Sequence, residues 1–236
     1  MKNRTLIFIS TYNEVENVRE IYQQISNLST RVDFLFIDDA SVDGTKELLD
    51  GLAKSAASVS LIHRPKKEGI GSAHRAGIDF AYEKGYTTLI TMDCDLSHLP
   101  QYIPQLIEQS SDCDVVIASR YLKESNFTSW RWPRRFLAYL SHFSTAVFLS
   151  LPYDATTAFR LYRLDKIPQS AFTHIRSSDY AFFFESLYFL KKSGASIKEI
   201  PVVSHDRKKG HSKMTALHLL SGLYRLLTLA INNLRG

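Results

Sequence analysis

Apolar positions fall along this chain in two alternating rhythms. Thr5 to Ile9 and Phe34 to Ile37 are short continuous apolar runs of strand length. Between them, Glu14 to Leu28 spaces Val15, Val18, Ile21, Tyr22 and Ile25 three or four residues apart, the period of one helix face. The unit recurs. Asp43 to Leu52 reads as a helix entered from a turn, Val59 to His63 as a strand, Ser72 to Lys84 as a helix and Thr88 to Met92 as a strand. Gln101 to Gln109 then reads as a helix and Asp114 to Ser119 as one more buried strand. Such alternation predicts an α/β fold with a mostly parallel sheet covered by helices on both faces.

After Tyr121 the pattern changes. Trp130-Arg131-Trp132-Pro133-Arg134-Arg135 leads into a helix carrying Phe136, Leu140, Phe143, Val147 and Leu151 on one side, and a second apolar stretch runs from Met214 to Leu234. Ser141, His142, Ser144 and Thr145 interrupt the first, and His218, Arg225 and Asn232 the second, so neither supplies the roughly 20 mostly apolar residues of a membrane span. Their stripes suit an interfacial position beside Trp130 and Trp132, and core packing accounts for them equally well. The amino terminus enters its first apolar run with no long h-region or small-residue cleavage site, so a cytoplasmic protein is expected. With no internal repeat, low-complexity tract or linker, the 236 residues read as one domain whose second half packs on the first.

The formal charge of +5 attracts anions: nucleic acid, anionic lipid or phosphorylated small molecules. A nucleic-acid partner is not expected, because RNP1, zinc-ligand and homeodomain patterns are missing and acidic strand ends would repel a phosphate backbone. The two cysteines, Cys94 and Cys113, make neither a CxxC pair nor a zinc pattern and read as free thiols in a reducing setting.

In an open α/β sheet, ligands bind at the carboxyl ends of the strands, and the acidic motifs here fall there. Ser10-Thr11-Tyr12-Asn13-Glu14 follows the first strand, Asp38-Asp39-Ala40-Ser41-Val42-Asp43-Gly44-Thr45 the second, and Asp93-Cys94-Asp95 the strand ending at Met92. Asp43 to Thr45 suit a turn and helix cap, whereas Asp38 and Asp39 read as functional. Asp93 and Asp95, two apart at a strand end, can share a hard cation and leave positions open for diphosphate oxygens. Arg64 to Ala73 has the composition of a phosphate loop but the spacing of neither GxxxxGK[ST] nor GxGxxG, so its glycines read as points of close backbone approach to a ligand or another strand. Cations gather in the second half at Arg120, Arg134, Arg135, Arg160, Arg163 and Arg207-Lys208-Lys209-Gly210-His211-Ser212-Lys213. Arg207 and Lys213 are the ligand candidates of that last cluster.

Taken in order, TYNE (11–14), DDASVDGT (38–45), GIGSAHRAG (69–77), MDCDLSHLP (92–100), SRY (119–121), DATTAFRLYR (154–163), FFESL (183–187) and DRKKGHSK (206–213) resemble the polyprenol-phosphate (dolichol-phosphate) mannosyltransferase branch of the family 2 inverting glycosyltransferases. The resemblance covers nearly the whole chain, and no QxxRW of the polysaccharide-forming relatives occurs. It implies a GT-A (Rossmann-like) domain over 1–236, with a nucleotide-sugar half (1–120) and an acceptor half (121–236) bearing interfacial helices. Ser10, Tyr12, Glu14, Ile37, Asp39, Cys94 and Ser97 would bind the donor, and Asp93 and Asp95 a Mg or Mn ion. Arg120, Arg134, Arg207 and Lys213 would gather the acceptor phosphate, with Asp95, Arg120, Arg207 and Lys213 as the catalytic set.

Arg160 and Arg163 also match the family string, and salt bridges to the core explain them equally well. The implied reaction moves mannose from GDP-mannose to a polyprenyl phosphate at the cytoplasmic face of a membrane. A UDP-sugar donor or a hydroxyl acceptor is the alternative. Some relatives carry carboxyl-terminal membrane hairpins, so an anchoring partner protein is a possible companion. Three departures stand out: Ser10 for a usual Pro, Ala158 for a Gly or Ser, and Ala138 for a Ser, where a methyl cannot donate a hydrogen bond to phosphate.

Overall fold

The computed structural model describes residues 4–122, 132–205 and 213–235. Strands β1 (Thr5–Thr11), β2 (Asp33–Asp38), β3 (Val59–His63) and β4 (Thr88–Asp93) alternate with helices α1 (Val15–Ser26), α2 (Thr45–Ser55) and α3 (Ile70–Glu83). Then come α4 (Ile103–Gln109), β5 (Val115–Ser119), α5 (Trp132–Leu149), β6 (Arg160–Arg163), α6 (Phe182–Lys192), β7 (Ile197–Pro201) and α7 (Ala216–Arg235). The seven strands form one sheet in the order β3-β2-β1-β4-β6-β5-β7, parallel except for β6, which runs antiparallel to both neighbours.

The continuous apolar runs are explained by two covered faces. Successive side chains of a strand point to opposite faces, so Leu6 and Phe8 join one core while Ile7 and Ile9 join the other. Leu35 and Ile37 pair with the first core, Phe34 and Phe36 with the second. Helices α1 and α2 cover the second face through Val18, Ile21, Ile25 and Leu49, and α3 covers the first through Ala73, Ile78 and Ala81. The chain therefore winds outward along one face from β1 to β3 and returns across the other to β4. The crevice between β1 and β4 is where such a fold presents its ligand site.

Three elements depart from the sequence pattern. Strand β6 carries Arg160, fully buried, whose guanidinium donates to Phe183 O (2.8 Å), Ala155 O (2.9 Å) and Ser186 Oγ (3.1 Å). A charged residue in a four-residue strand hides the apolar signal. Helix α6 is buried on nearly all sides from Phe182 to Tyr188, Glu185 included, so no amphipathic period shows. Leu151 does not lie on α5: the helix ends at Leu149, Ser150 takes a positive φ of 55°, and Leu151 turns into the core.

Candidate active site

Register brings the three acidic loops together. Ser10 stands opposite Asp93 across β1–β4, and Thr11 opposite Asp38 across β1–β2. Soon after each of these strands a non-glycine residue adopts positive φ: Asn13 (53°), Ala40 (63°) and Leu96 (60°). This left-handed backbone costs energy wherever a Cβ is present, and three such turns at one sheet edge mark an over-determined site.

Above this edge lies an open cleft of about 130 Å³. Of the residues singled out from sequence, Ser10, Tyr12, Glu14, Asp39, Asp93, Cys94, Asp95 and Lys213 line it. Ile37 does not: it is fully buried in the apolar core under the sheet. Ser97 lies behind the wall, its N–H donating to Asp95 Oδ1 (3.0 Å). Asp179, Tyr180 and His218 line the cleft without a sequence signal that marked them, and Lys67 sets its ammonium 3.8 Å from the centre of the Tyr12 ring.

Asp39 organises one wall. Its carboxylate accepts the N–H groups of Glu68 and Gly69 (2.9 Å each) and an Arg64 guanidinium N–H (3.2 Å), pinning the 64–69 loop. Gly69 has φ +92°, and a Cβ on Gly71 would stand 2.7 Å from Asp179 O and 2.8 Å from Ser177 O. The glycines thus admit the backbone of segment 177–179, not another strand. Asp38 is not a lining residue; its carboxylate accepts from Thr11 Oγ1 (3.2 Å) and from Ser41 N (3.1 Å) and Ser41 Oγ, bracing the loop from inside. Asp43 is a cap: burial would raise its pKa, but the Thr45 hydroxyl (2.5 Å), Thr45 N (3.0 Å) and Val15 N (3.2 Å) all donate to its carboxylate and lower it overall.

Asp95 is buried and Asp93 half-exposed at the cleft. His98 Nδ1 accepts the Asp93 N–H (3.4 Å), and its ring stacks on Phe159. Burial lowers the His98 pKa to about 4, with Asp95 opposing and Arg120 assisting, so the ring is neutral and its hydrogen sits on Nε2, toward Thr157 Oγ1 (3.4 Å). Among the described residues no group of three or more His, Cys, Asp or Glu side chains is arranged to hold a metal alone. Two carboxylates that leave the remaining positions to diphosphate oxygens and water are nonetheless the hard-oxygen donor set that Mg²⁺ and Mn²⁺ accept.

The cations divide. Lys213 Nζ lies 3.5 Å from Glu14 Oε1 and donates to Asn13 O (3.2 Å), clasping the start of α1 across 200 residues of chain. Arg120 gives Nε and Nη2 to the buried Asp154 (2.7 Å each) and Nη2 also to Thr156 (2.7 Å). Burial would lower its pKa, and Asp154 more than reverses that. Arg160 is structural, and Arg163 pairs with Asp165 (2.7 Å). Arg207 lies outside the described residues, as do Trp130, Lys208 and Lys209, and Arg134 is described only as a backbone position in α5.

A second, apolar pocket of about 270 Å³ opens between α5, α6 and α7, lined by Leu137, Leu140, Phe184, Leu219 and Leu223 among others. Tyr180 and His218 line both this pocket and the acidic cleft. The outer faces of α5 and α7 leave Phe136 61%, Phe143 63%, Leu217 75% and Leu220 63% exposed, so core packing accounts for only part of these stripes, through Leu149, Leu151, Leu226 and Leu229. No described helix is long and apolar enough to cross a membrane.

Residues 6–184 match the model of the glycosyl transferase family 2, and the chain belongs to that family. Its particular relatives are narrower in kind. Undecaprenyl-phosphate mannosyltransferase of Micrococcus luteus is 33% identical over 213 residues, 90% of this chain and 88% of that protein. Polyprenol monophosphomannose synthase of Mycolicibacterium smegmatis is 31% identical over 226 residues, 94% of this chain and 85% of that protein. Glucosyl-3-phosphoglycerate synthase from Mycobacterium tuberculosis, crystallised with Mn²⁺, UDP and phosphoglyceric acid, shares the GT-A architecture with a TM-score of 0.63. It is 14% identical, and the match covers 98% of this chain and 78% of that one.

Proposed function

We propose that this enzyme transfers mannose from GDP-mannose to a polyprenyl phosphate, inverting the anomeric carbon. The observation that carries the proposal is the acidic cleft opening beside an apolar pocket, with two residues common to both. An acceptor with a charged head and a hydrocarbon tail needs that pairing. Two relatives whose names specify polyprenyl-phosphate acceptors and mannose support it over most of the chain.

In this reading, residues 1–120 hold the donor: Tyr12, Glu14 and Asp39 face the nucleoside, with Ser10 and Cys94 beside it. Ile37 and Ser97 support that wall from behind. Asp93 and Asp95 would hold Mg²⁺ or Mn²⁺, which when bound offsets the charge that grows on the departing diphosphate. Residues 121–236 supply the acceptor side, where Lys213, Arg120, Arg134 and Arg207 would offset the charge of the incoming phosphate. A phosphate monoester has a second pKa of about 6, so its oxygen is already deprotonated near neutral pH and needs no protein base. The chain's task is to hold two anions in line for attack. The exposed leucine and phenylalanine faces of α5 and α7 would rest on the lipid surface, giving a peripheral enzyme on the cytoplasmic face, with an anchoring partner protein as a further option.

The test is a radiolabelled donor panel (GDP-mannose, UDP-glucose, UDP-GlcNAc) with undecaprenyl phosphate in liposomes and Mn²⁺, alongside Asp95→Ala. Label should enter lipid from GDP-mannose alone, and Asp95→Ala should abolish it. Transfer from a UDP-sugar instead, or an unchanged rate in the variant, defeats the reading.

A further inference from the structure

The junction between the two cavities is narrow in composition: among the described residues, Tyr180 and His218 are the side chains that line both. For an acceptor whose tail occupies the apolar pocket and whose head enters the cleft, this is where phosphate meets hydrocarbon. His218 presents a defined hydrogen-bonding face there. Its Nδ1 accepts the Thr215 N–H (3.0 Å), so in the neutral ring the hydrogen is on Nε2, a donor. The Tyr180 ring meets it edge-on at 5.2 Å and limits its swing.

We infer that His218 is a specificity-determining residue for the acceptor, its Nε2–H binding the lipid phosphate as the head crosses from the apolar pocket into the cleft. The inference rests on the proposed acceptor class and deepens it. A bland role competes with it: His218, three residues after Thr215, reaches back to the Thr215 N–H as a Glu or Gln does in a capping box. The two roles separate by substitution. Gln can accept from Thr215 and still donate to phosphate, whereas Glu keeps the cap, cannot donate when ionised, and repels the acceptor.

The experiment measures initial rates of mannosyl transfer against undecaprenyl phosphate concentration in detergent micelles for wild type, His218→Gln, His218→Glu and His218→Ala. Calorimetry of GDP with Mn²⁺ accompanies each. The expected result is a KM for the lipid raised about tenfold or more in His218→Glu and His218→Ala, within about threefold of wild type in His218→Gln, with GDP affinity unchanged throughout. A His218→Glu enzyme that keeps the wild-type KM overturns the inference and leaves a cap. Variants that lose GDP affinity and kcat together at constant lipid KM also overturn it. Wild-type enzyme that binds GDP-mannose yet never glycosylates the lipid overturns the acceptor class itself, a separate and recognisable failure.

Discussion

Protonation of His74 should set much of the acid sensitivity of this fold. The ring sits 1% exposed in α3, flanked by Phe8 (4.9 Å), Phe183 (5.0 Å) and Phe182 (5.1 Å). Neither nitrogen has a hydrogen-bond partner among the described residues. Burial, assisted by the Arg160 guanidinium, lowers its pKa from the ordinary 6.5 to about 3. The unfolded chain therefore takes up a proton near pH 6.5 that the folded chain refuses until about pH 3. Stability from this residue is complete above the first value and falls as pH drops toward the second. Over the whole interval the linkage amounts to about 5 kcal/mol, and between pH 7 and pH 5 to about 2 kcal/mol.

Urea unfolding of wild type and His74→Leu near both pH values isolates the effect, because all other titrations cancel in the comparison. Wild type should lose about 2 kcal/mol more than the variant on acidification, or about 4–8 °C in Tm for a chain of this size. Equal losses in the two proteins would refute the reasoning and require a proton acceptor for this ring within the fold.

Two further substitutions test the supports of the cleft. Gly71→Ala places a Cβ 2.7 Å from Asp179 O and from Phe182 Cβ. It should cost about 1–3 kcal/mol in urea unfolding and raise the donor KM, whereas Gly51→Ala, with open space around it, should be neutral or stabilising; equal effects would contradict the close approach. Arg120→Met leaves the buried Asp154 carboxylate without its guanidinium and should destabilise by about 3–5 kcal/mol. Adding Asp154→Asn should recover a measurable part of that loss, and simple additivity in the double-mutant cycle would show that the pair is not coupled.

The first half of the fold was legible because its strands are apolar on both faces and its helices amphipathic, signals that need no knowledge of the rest of the chain. β3 falls on Val59–His63 as the pattern requires, and the other strands of that half differ only at their ends. β6 and α6 were not legible as elements for one shared reason. Each buries a charged residue, Arg160 or Glu185, whose partners lie outside its own element, some of them (Phe183 and Ser186 for Arg160, Arg225 for Glu185) more than 20 residues away, where local periodicity cannot reveal them. The cleft followed the same division. Residues placed directly by a strand end, such as Ser10 and Asp93, could be read from the motifs. Asp179 and His218 reach it through α6 and α7 packing. Strand-end position alone reads Asp38 and Asp39 alike, the resemblance implies a donor role for Asp39 only, and the hydrogen bonds make Asp38 an internal brace.

The carboxylate of Glu185 accepts the N–H groups of Arg176 and Ser177 (2.8 Å each) and also the Arg225 guanidinium. Arg225 belongs to α7, the helix that leaves Leu217, Leu220 and Leu223 exposed, and the 176–177 backbone runs through Ser178 into Asp179 of the cleft wall. One acid group is thus the rivet joining the part that would touch lipid to the part that would touch sugar. Losing that carboxylate would unfasten α7 and the 176–177 backbone at one stroke.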